Sequence, residues 1–295
     1  MPIDALRTRI LHALRRAQLI ERPGTPAADA VEIRPLDGGL GRRSYLASAG
    51  SAAWVVRVSG AQRAGALDLE AEAEITQQAA ALGIAPRVLA TDPSSGALVT
   101  EHLSRARPMT AAALKAPENV GRVARVLKRL HTIRRPFRRY DAEAFAAQYT
   151  RHLEPALSAA DRRLAAELRD LARHYRMRYP SLVLCHNDLV PSNVLVDGSG
   201  GLKLVDFEYA VMAAPVLDLA GIAALNDFDD DERWRLAEAY YDKMPVPFTA
   251  GELHKVVRLV RLIAYFWALS SAVAAGDRGP YAAFAARAAA ALERT

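Results

Sequence analysis

The sequence predicts an α+β protein with a small N-terminal lobe built on an antiparallel sheet and a larger, mainly helical C-terminal lobe. The chain has 295 residues, which is enough for two lobes with cores of their own. Short β-type runs separated by glycine-containing turns fill the first third. Apolar residues recur at helical spacing through most of the remainder. We therefore place the N-terminal lobe at residues 1–103 and the C-terminal lobe at residues 104–295.

The predicted N-terminal lobe opens on an amphipathic helix, MPIDALRTRILHALRRAQLI, and continues as a sheet with one helix. That helix covers residues 68–82, where glutamates follow one another at every second position. The predicted strands cover residues 31–36, 44–49, 54–58, 86–90 and 97–103. The two lobes are expected to meet near residues 101–108, and small-molecule sites commonly lie between lobes.

The predicted C-terminal lobe consists of long helices interrupted once by strands. The helices cover residues 118–133, 142–157, 161–179, 230–243 and 253–275, and an alanine-rich helix ends the chain. Within residues 183–206, NVLV and LKLV are joined by DGSGG, which predicts a β-hairpin. No helix start follows this glycine-rich turn, so the pattern does not favour a phosphate-binding P-loop.

Composition and charge exclude several classes of protein. Hydrophobic residues make up 51% and charged residues 24%, which is typical of a globular protein and not of a disordered one. The net charge of +6 is spread along helices, which favours a small polyanion such as a nucleotide over nucleic acid. The single cysteine, Cys185, excludes an intrachain disulfide and a four-cysteine zinc site. The sequence has no signal-peptide pattern and no run of about 18 uninterrupted apolar residues, so we expect a cytoplasmic protein without a membrane span. We expect a monomer or a homodimer.

The segment CHNDLVPSNVLVDGSGGLKLVDFE carries polar side chains between apolar strands. A hairpin would bring Asn193 close to Asp206, while Asp188 lies in the loop that leads in. Carboxylate and amide oxygens suit Mg²⁺. Phosphoryl transfer needs such a metal, counter-charge and a group that orients the acceptor hydroxyl, for which Asp188 is placed. The structural alternative is a hairpin with polar ends, but the joint spacing of the three residues favours a phosphate site.

The same segment resembles a known family. HNDLVPSN is similar to the H-x-D-x-x-x-x-N catalytic loop of kinases, and DFE stands where kinases carry DFG. DFEYA followed by LDLA resembles the choline/ethanolamine kinase branch of the aminoglycoside phosphotransferase superfamily. GGLGRRSYL and WVVRVSG resemble that branch's nucleotide loop and following strand, so the likeness covers roughly residues 30–275. It implies a bilobal protein-kinase-like fold, ATP and Mg²⁺ as cofactors, and a small-molecule alcohol as substrate.

The resemblance implies roles for single residues. Asp188 matches the catalytic base and His186 the support of its loop, while Asn193 and Asp206 match the magnesium ligands. Acidic positions near the acceptor site and in the network that supports the loop are matched by Glu208 and Asp218. Taken alone, Asp218 before an apolar helical run is equally typical of a helix cap.

A second set of residues matches the family's nucleotide site. Arg57 takes the place of the phosphate-binding lysine, with Glu72 as its helix partner and Glu70 or Glu74 as alternatives. Gly41-Arg42 replaces the family's Thr/Ser-Asn, which removes a hydroxyl and an amide from the nucleotide loop. The residues that the resemblance implies in nucleotide binding are Gly38, Gly39, Gly41, Arg57, Glu72, Glu101, His102 and Leu103.

The identity of the phosphate acceptor depends on side chains of the C-terminal helices. Aromatic faces bind quaternary ammonium groups, and Tyr265, Trp267 and Trp234 are the aromatic residues we assign to that pocket, although such residues also pack helix cores. Ser270 or Ser271 replaces a tryptophan that choline kinases often carry. A cationic alcohol of choline, ethanolamine or thiamine type is the favoured acceptor. The alternatives are an aminoglycoside or sugar phosphotransferase and an ATP-binding pseudokinase with a regulatory role.

Overall fold

The structure is a computed structural model that describes residues 3–36, 43–58, 68–135, 137–151, 153–154, 157–242, 244–276 and 279–293, without the side chains of residues 3, 43 and 275. The chain forms two compact units, Met1–Met109 with Ser192–Ala210 and Thr110–Pro191 with Val211–Thr295. The first is built on an antiparallel sheet and the second is mainly helical, so the predicted α+β class is confirmed. The assignment of residues 1–103 and 104–295 to a nucleotide-binding and a catalytic lobe stays a prediction.

The first unit contains the predicted sheet. Its described strands are antiparallel and lie in the order β1-β2-β3-β5-β4. These strands are β1 (Glu32–Pro35), β2 (Arg43–Ala49), β3 (Ala52–Val58), β4 (Val88–Asp92) and β5 (Ala97–Glu101). Each overlaps a run that the sequence predicts from its β-type residues.

Two helices belong to this sheet. Helix α1 (Ile3–Arg16) packs its apolar side against one face, where Leu14 joins Val56 and Val58 in a common core. Successive side chains of a strand point to opposite faces, so Arg57 points to the other face. Helix α2 (Leu69–Ala81) begins after Asp68, whose carboxylate accepts the N–H of Ala71 at 2.8 Å.

The predicted hairpin is present and also belongs to the first unit. Its strands are β8 (Val194–Val196) and β9 (Leu202–Leu204), and β6 (Arg107–Pro108) pairs with β8. In the turn, Asp197 accepts backbone N–H groups from Ser199 and Gly201 at 2.9 and 2.8 Å. A Cβ at Gly201 would lie 2.8 Å from Oδ2 of Asp197, so a larger residue there would displace this carboxylate.

The second unit consists of helices and one short pair of strands. Strands β7 (Val183–Cys185) and β10 (Val211–Ala213) pair antiparallel, with Cys185 opposite Val211. Strand β10 was not predicted, since three residues are too few to show a period of two. The described helices are α3 (Ala111–Lys115), α4 (Pro117–Leu130), α5 (Ala142–Thr150), α6 (Ala159–Arg178), α7 (Val216–Leu225), α8 (Asp230–Tyr241), α9 (Ala250–Ala275) and α10 (Pro280–Glu293).

Helix α9 is the longest described helix and begins three residues before its predicted start, because Thr249 and Glu252 form a capping box. By length and composition alone it could cross a membrane, with a mean hydropathy of 1.6 over its most apolar part. Core helices meet the same criterion, and Val257, Leu262 and Phe266 are fully buried in the second unit. The absence of a membrane span stays a prediction.

Candidate active site

Arg57 is a buried cation that lies between two carboxylates of the first unit. Its Nη2 is 2.5 Å from Oε1 of Glu72 on α2, and its Nη1 is 2.8 Å from Oδ1 of Asp206. Glu72 is fully buried and Arg57 is 9% exposed. The structure thus pairs Arg57 with Glu72, the glutamate that the resemblance favours over Glu70 and Glu74.

The surrounding acidic side chains stabilise the charged form of Arg57. Burial alone lowers the pKa of a guanidinium, but attraction to Asp206, Glu72 and Glu208 outweighs it and holds the pKa of Arg57 above its ordinary value. Glu208 is itself 3% exposed. One buried cation therefore faces three acidic side chains, which leaves an excess of negative charge for a further cation.

Asn193 comes directly before β8, and Asp206 follows β9 by two residues, so both belong to the open end of the hairpin. The N–H of Val205 donates to the carbonyl of Asn193 at 3.1 Å, so the residues that flank β8 and β9 are neighbours. Asn193 ends a 3₁₀ turn and is buried, and Asp206 adopts a left-handed backbone with φ of 69°. Asp and Asn tolerate this conformation better than most residues. Amide and carboxylate oxygens beside an acidic surplus fit Mg²⁺, which takes hard oxygen ligands.

Asp218, in the first turn of α7, organises the HND loop, residues 186–188 of the second unit. Its carboxylate accepts the backbone N–H of His186 at 2.9 Å and that of Asn187 at 2.8 Å. Asn187 adopts a left-handed backbone with φ of 64°. Asp218 is fully buried. These contacts fit a place in the network that supports the loop, and a position of Asp218 near the acceptor stays a prediction.

His186 also acts on the loop itself. Its Nδ1 accepts the backbone N–H of Asp188 at 3.3 Å, and its side chain is fully buried. A neutral imidazole that accepts at Nδ1 carries its proton on Nε2. The geometry therefore makes His186 an organiser of the loop, whereas Asp188 is half-buried and keeps an exposed part.

His131, which follows α4, makes two polar contacts that sequence reasoning missed. Its Nε2 lies 3.1 Å from Oδ2 of Asp218, and its Nδ1 lies 2.7 Å from the hydroxyl of Tyr240 on α8. All three side chains are buried. Tyr240 follows His131 by 109 positions, and a local sequence pattern cannot predict a contact between residues so far apart in the chain.

Cys185 lies beside His131 and Asp218, and ligand atoms of the three residues are within 4.8 Å of one another. Burial, followed by the Asp218 charge, raises the pKa of the Cys185 thiol well above its usual range. Metals bind the thiolate, and this thiol donates to the carbonyl of Ala214 at 3.5 Å. The three residues therefore form part of a hydrogen-bonded core.

Glu101, which the resemblance places in nucleotide binding, lies at the end of β5. Glu101 accepts Nε of Arg87 at 2.8 Å and the Arg87 N–H at 2.9 Å, and its own N–H donates to the Arg87 carbonyl. The Glu101 carboxylate and N–H thus bond to Arg87, and a contact of Glu101, His102 and Leu103 with the nucleotide stays a prediction. Burial, and then the charge of Arg34, lower the pKa of His102. The carbonyl of Leu103 accepts the N–H of Ala106 at 2.9 Å.

The aromatic residues assigned to one substrate pocket do not come together. Trp234 borders a surface cavity with Gly251 and His254 at the start of α9. Trp267 follows His254 by 13 residues, which is about 20 Å along a helix. A choline-sized pocket cannot contain both indoles.

Tyr265 is likewise engaged elsewhere. Its hydroxyl donates to Asp161 on α6 at 2.7 Å, and the residue is 9% exposed. Trp267 is half-buried, with ring centroids of Tyr281 and Phe284 at 5.8 and 5.6 Å. Of the three aromatic residues proposed for the pocket, Trp267 alone lies in a partly exposed group of rings. The glycines of the nucleotide loop, Gly38, Gly39 and Gly41, lie outside the described residues.

Comparison with known proteins adds to this geometry. The model of the phosphotransferase enzyme family matches residues 32–252, about three quarters of the chain. No curated protein sequence matched.

Solved structures share the fold at low sequence identity. Choline kinase LicA from Streptococcus pneumoniae has 21% identity and a TM-score of 0.77, covering 90% of this chain and 94% of its own. A choline/ethanolamine kinase family protein from Mesorhizobium loti has 24% identity and a TM-score of 0.77, covering 99% and 95%. A thermostable mutant of aminoglycoside phosphotransferase APH(4)-Ia, in complex with ADP and hygromycin B, has 16% identity and a TM-score of 0.60, covering 89% and 94%.

Proposed function

The chain belongs to the phosphotransferase enzyme family, and from this premise we propose that it is an ATP- and Mg²⁺-dependent kinase of a small, cationic alcohol. The observation that carries the proposal is the buried Arg57, held between Glu72 and Asp206 at the end of the hairpin that begins at Asn193. A fixed cation beside oxygen ligands for a metal is the arrangement that phosphoryl transfer needs, because the reaction depends on positioning and charge more than on covalent chemistry.

Each residue has a role in this proposal. The planar guanidinium of Arg57 binds two phosphate oxygens, which a lysine cannot do in the same way. Asn193 and Asp206 would hold Mg²⁺, which when bound neutralises charge on the phosphates. Asp188 accepts the proton of the acceptor hydroxyl and orients its oxygen for in-line attack. His186 fixes the backbone that carries Asp188.

The acceptor we propose is an alcohol of choline, ethanolamine or thiamine type. Two observations support it. Structures named as choline or ethanolamine kinases are among those that share this fold. Trp267 is half-buried among the rings of Tyr281 and Phe284, and aromatic faces attract quaternary ammonium groups.

The experiment is ADP release from Mg-ATP with choline, ethanolamine, thiamine, amino sugars and aminoglycosides as acceptors. We expect release that depends on a cationic alcohol, and no such release from Asp188→Ala. Asp231→Ala, which removes an exposed aspartate of α8, is the matched control and should retain wild-type turnover.

Each other outcome decides against part of the proposal. Turnover with amino sugars or aminoglycosides alone would make the chain a sugar or aminoglycoside kinase. ATP binding without turnover on any acceptor would favour the regulatory pseudokinase. Turnover that Asp188→Ala retains would remove Asp188 from the chemistry.

A further inference from the structure

A buried chain of hydrogen bonds runs from α8 to the HND loop, and its outer member is not used by the mechanism above. The hydroxyl of Tyr240 meets His131 at 2.7 Å, His131 meets Asp218 at 3.1 Å, and Asp218 holds the N–H groups of His186 and Asn187. We infer that Tyr240 is a positioning residue for the HND loop, which it acts on by fixing the tautomer of His131. This inference rests on the proposed function, in which that loop carries Asp188.

The donors and acceptors along this chain have one consistent assignment for a neutral imidazole. The Asp218 carboxylate already accepts two backbone N–H groups and can only accept again. The Nε2 of His131 must therefore donate to it, which leaves Nδ1 as an acceptor. The hydroxyl of Tyr240 is the donor that Nδ1 requires.

Tyr240 is suited to remain that donor. Burial raises the pKa of its phenol above the ordinary value, with smaller contributions from Tyr241, Cys185 and Asp218. The hydroxyl thus stays protonated through the neutral range. The ring is also fixed, because it packs edge-on against His131 at 5.4 Å and against Tyr241 at 5.0 Å.

Loss of the Tyr240 hydroxyl would change the position of the HND loop and leave nucleotide binding unchanged. In Tyr240→Phe, Nδ1 of His131 loses its donor, and the tautomer with its proton on Nδ1 becomes accessible. That tautomer turns a lone pair of Nε2 toward the Asp218 carboxylate, which weakens the support of His186 and Asn187. The residues proposed to bind phosphate and Mg²⁺, Arg57, Asn193 and Asp206, belong to the other compact unit.

The kinetic test compares Tyr240→Phe with Tyr241→Phe, which removes the hydroxyl of the next residue on the same helix. We expect kcat of Tyr240→Phe to fall roughly tenfold, the scale of one net hydrogen bond to a buried group. The KM for ATP should stay within about twofold of wild type, since a loop effect changes turnover and not nucleotide binding. Equal kcat in the two variants would overturn the inference.

Two further variants separate positioning from simple loss of packing. His131→Gln keeps an N–H donor for Asp218, whereas His131→Leu keeps bulk and supplies no donor. We expect His131→Gln to retain more kcat than His131→Leu when both are measured well below their unfolding temperatures. Equal loss in the two variants would reduce His131 and Tyr240 to packing residues.

A spectroscopic arm tests the inference apart from activity. Nitrogen–proton correlation spectra of the histidine ring, assigned by the signals missing from His131→Gln, report which nitrogen carries the proton. We expect the proton on Nε2 in the wild type and a mixture of tautomers in Tyr240→Phe. An unchanged tautomer in Tyr240→Phe would contradict the inference, and absence of turnover by the wild type on every acceptor would contradict the proposed function instead.

Discussion

At the scale of single residues, Arg57 has a structural role as the cation of a buried ion pair, and the proposed function would use the same group to bind phosphate. A buried charge is expensive unless opposite charges lie against it, and Glu72 and Asp206 do so at 2.5 and 2.8 Å. The guanidinium is thereby fixed before any nucleotide arrives. A group that is already oriented costs little reorganisation when it binds phosphate.

Arg57→Met is expected to lower the free energy of unfolding by about 3 kcal/mol, the lower end for removing one partner of a buried ion pair. Arg57→Met combined with Glu72→Gln should recover much of that loss, because the buried charge of Glu72 is removed as well. Neither variant should bind ATP with wild-type affinity.

Urea unfolding monitored by circular dichroism measures this stability, and Arg57→Lys, which keeps the charge, is the control. An unfolding midpoint of Arg57→Met equal to that of the wild type would show that the pair contributes no stability.

At the scale of secondary-structure elements, the sequence could predict the strands of the main sheet and the hairpin because short residue patterns mark them. DGSGG marks the turn between β8 and β9, and Asp68 marks the start of α2. Strands β6 and β10 have two and three residues and carry no such signal. They exist through pairing with β8 and β7, partners far away in the sequence.

The candidate site divides in the same way. The spacing of Asp188, Asn193 and Asp206 is visible in the sequence because they lie on one loop and one hairpin, and their roles stay predictions. The link from His131 to Tyr240 could not, since it joins α4 to α8 through tertiary packing. The aromatic residues give a related case: a sequence pattern shows that Trp234 and Trp267 are helical, but not that Trp234 borders the start of α9, 13 residues before Trp267 when counted from His254.

The pairing of β5 with the start of β4 predicts a pH dependence. Although burial raises the pKa of Glu101, hydrogen bonds and charge from Arg87 outweigh it and lower that pKa below its ordinary value. The folded protein therefore binds this proton more weakly than the unfolded chain does. The resulting stability is present above the unfolded pKa of about 4.3 and is lost as the pH falls through the lower, folded pKa.

Glu101→Gln is expected to lower the free energy of unfolding by roughly 0.5–1 kcal/mol at pH 7, since Arg87 is largely exposed. The difference from wild type should shrink as the pH is lowered toward 3. Urea unfolding at several pH values measures it, with the exposed Glu70 changed to Gln as control. A difference that stays constant with pH would contradict the assignment of this stability to the Glu101 charge.

At the scale of the whole molecule, a ligand that binds only the folded chain must stabilise it. Mg-ATP at about 100 times its Kd is expected to raise the free energy of unfolding by about 2.7 kcal/mol. Thermal unfolding with and without Mg-ATP measures this gain, and Arg57→Met at the same concentrations should show a much smaller one. An equal gain in both proteins would place the nucleotide away from Arg57.

The net charge of +6 is also a property of the whole chain. A positive protein attracts a polyanionic nucleotide, and salt screens this attraction. The affinities compared above are therefore to be measured at one ionic strength.

In the proposed function, Asp188 orients and deprotonates the acceptor hydroxyl of a phosphoryl transfer. The measurement that tests it most directly is the rate of acceptor phosphorylation by wild type and by Asp188→Asn, with both proteins saturated with Mg-ATP. The substitution keeps the size of the side chain and removes its basicity, so we expect the rate to fall by about 10²–10⁴-fold with ATP affinity unchanged. Wild-type transfer by Asp188→Asn would contradict the account.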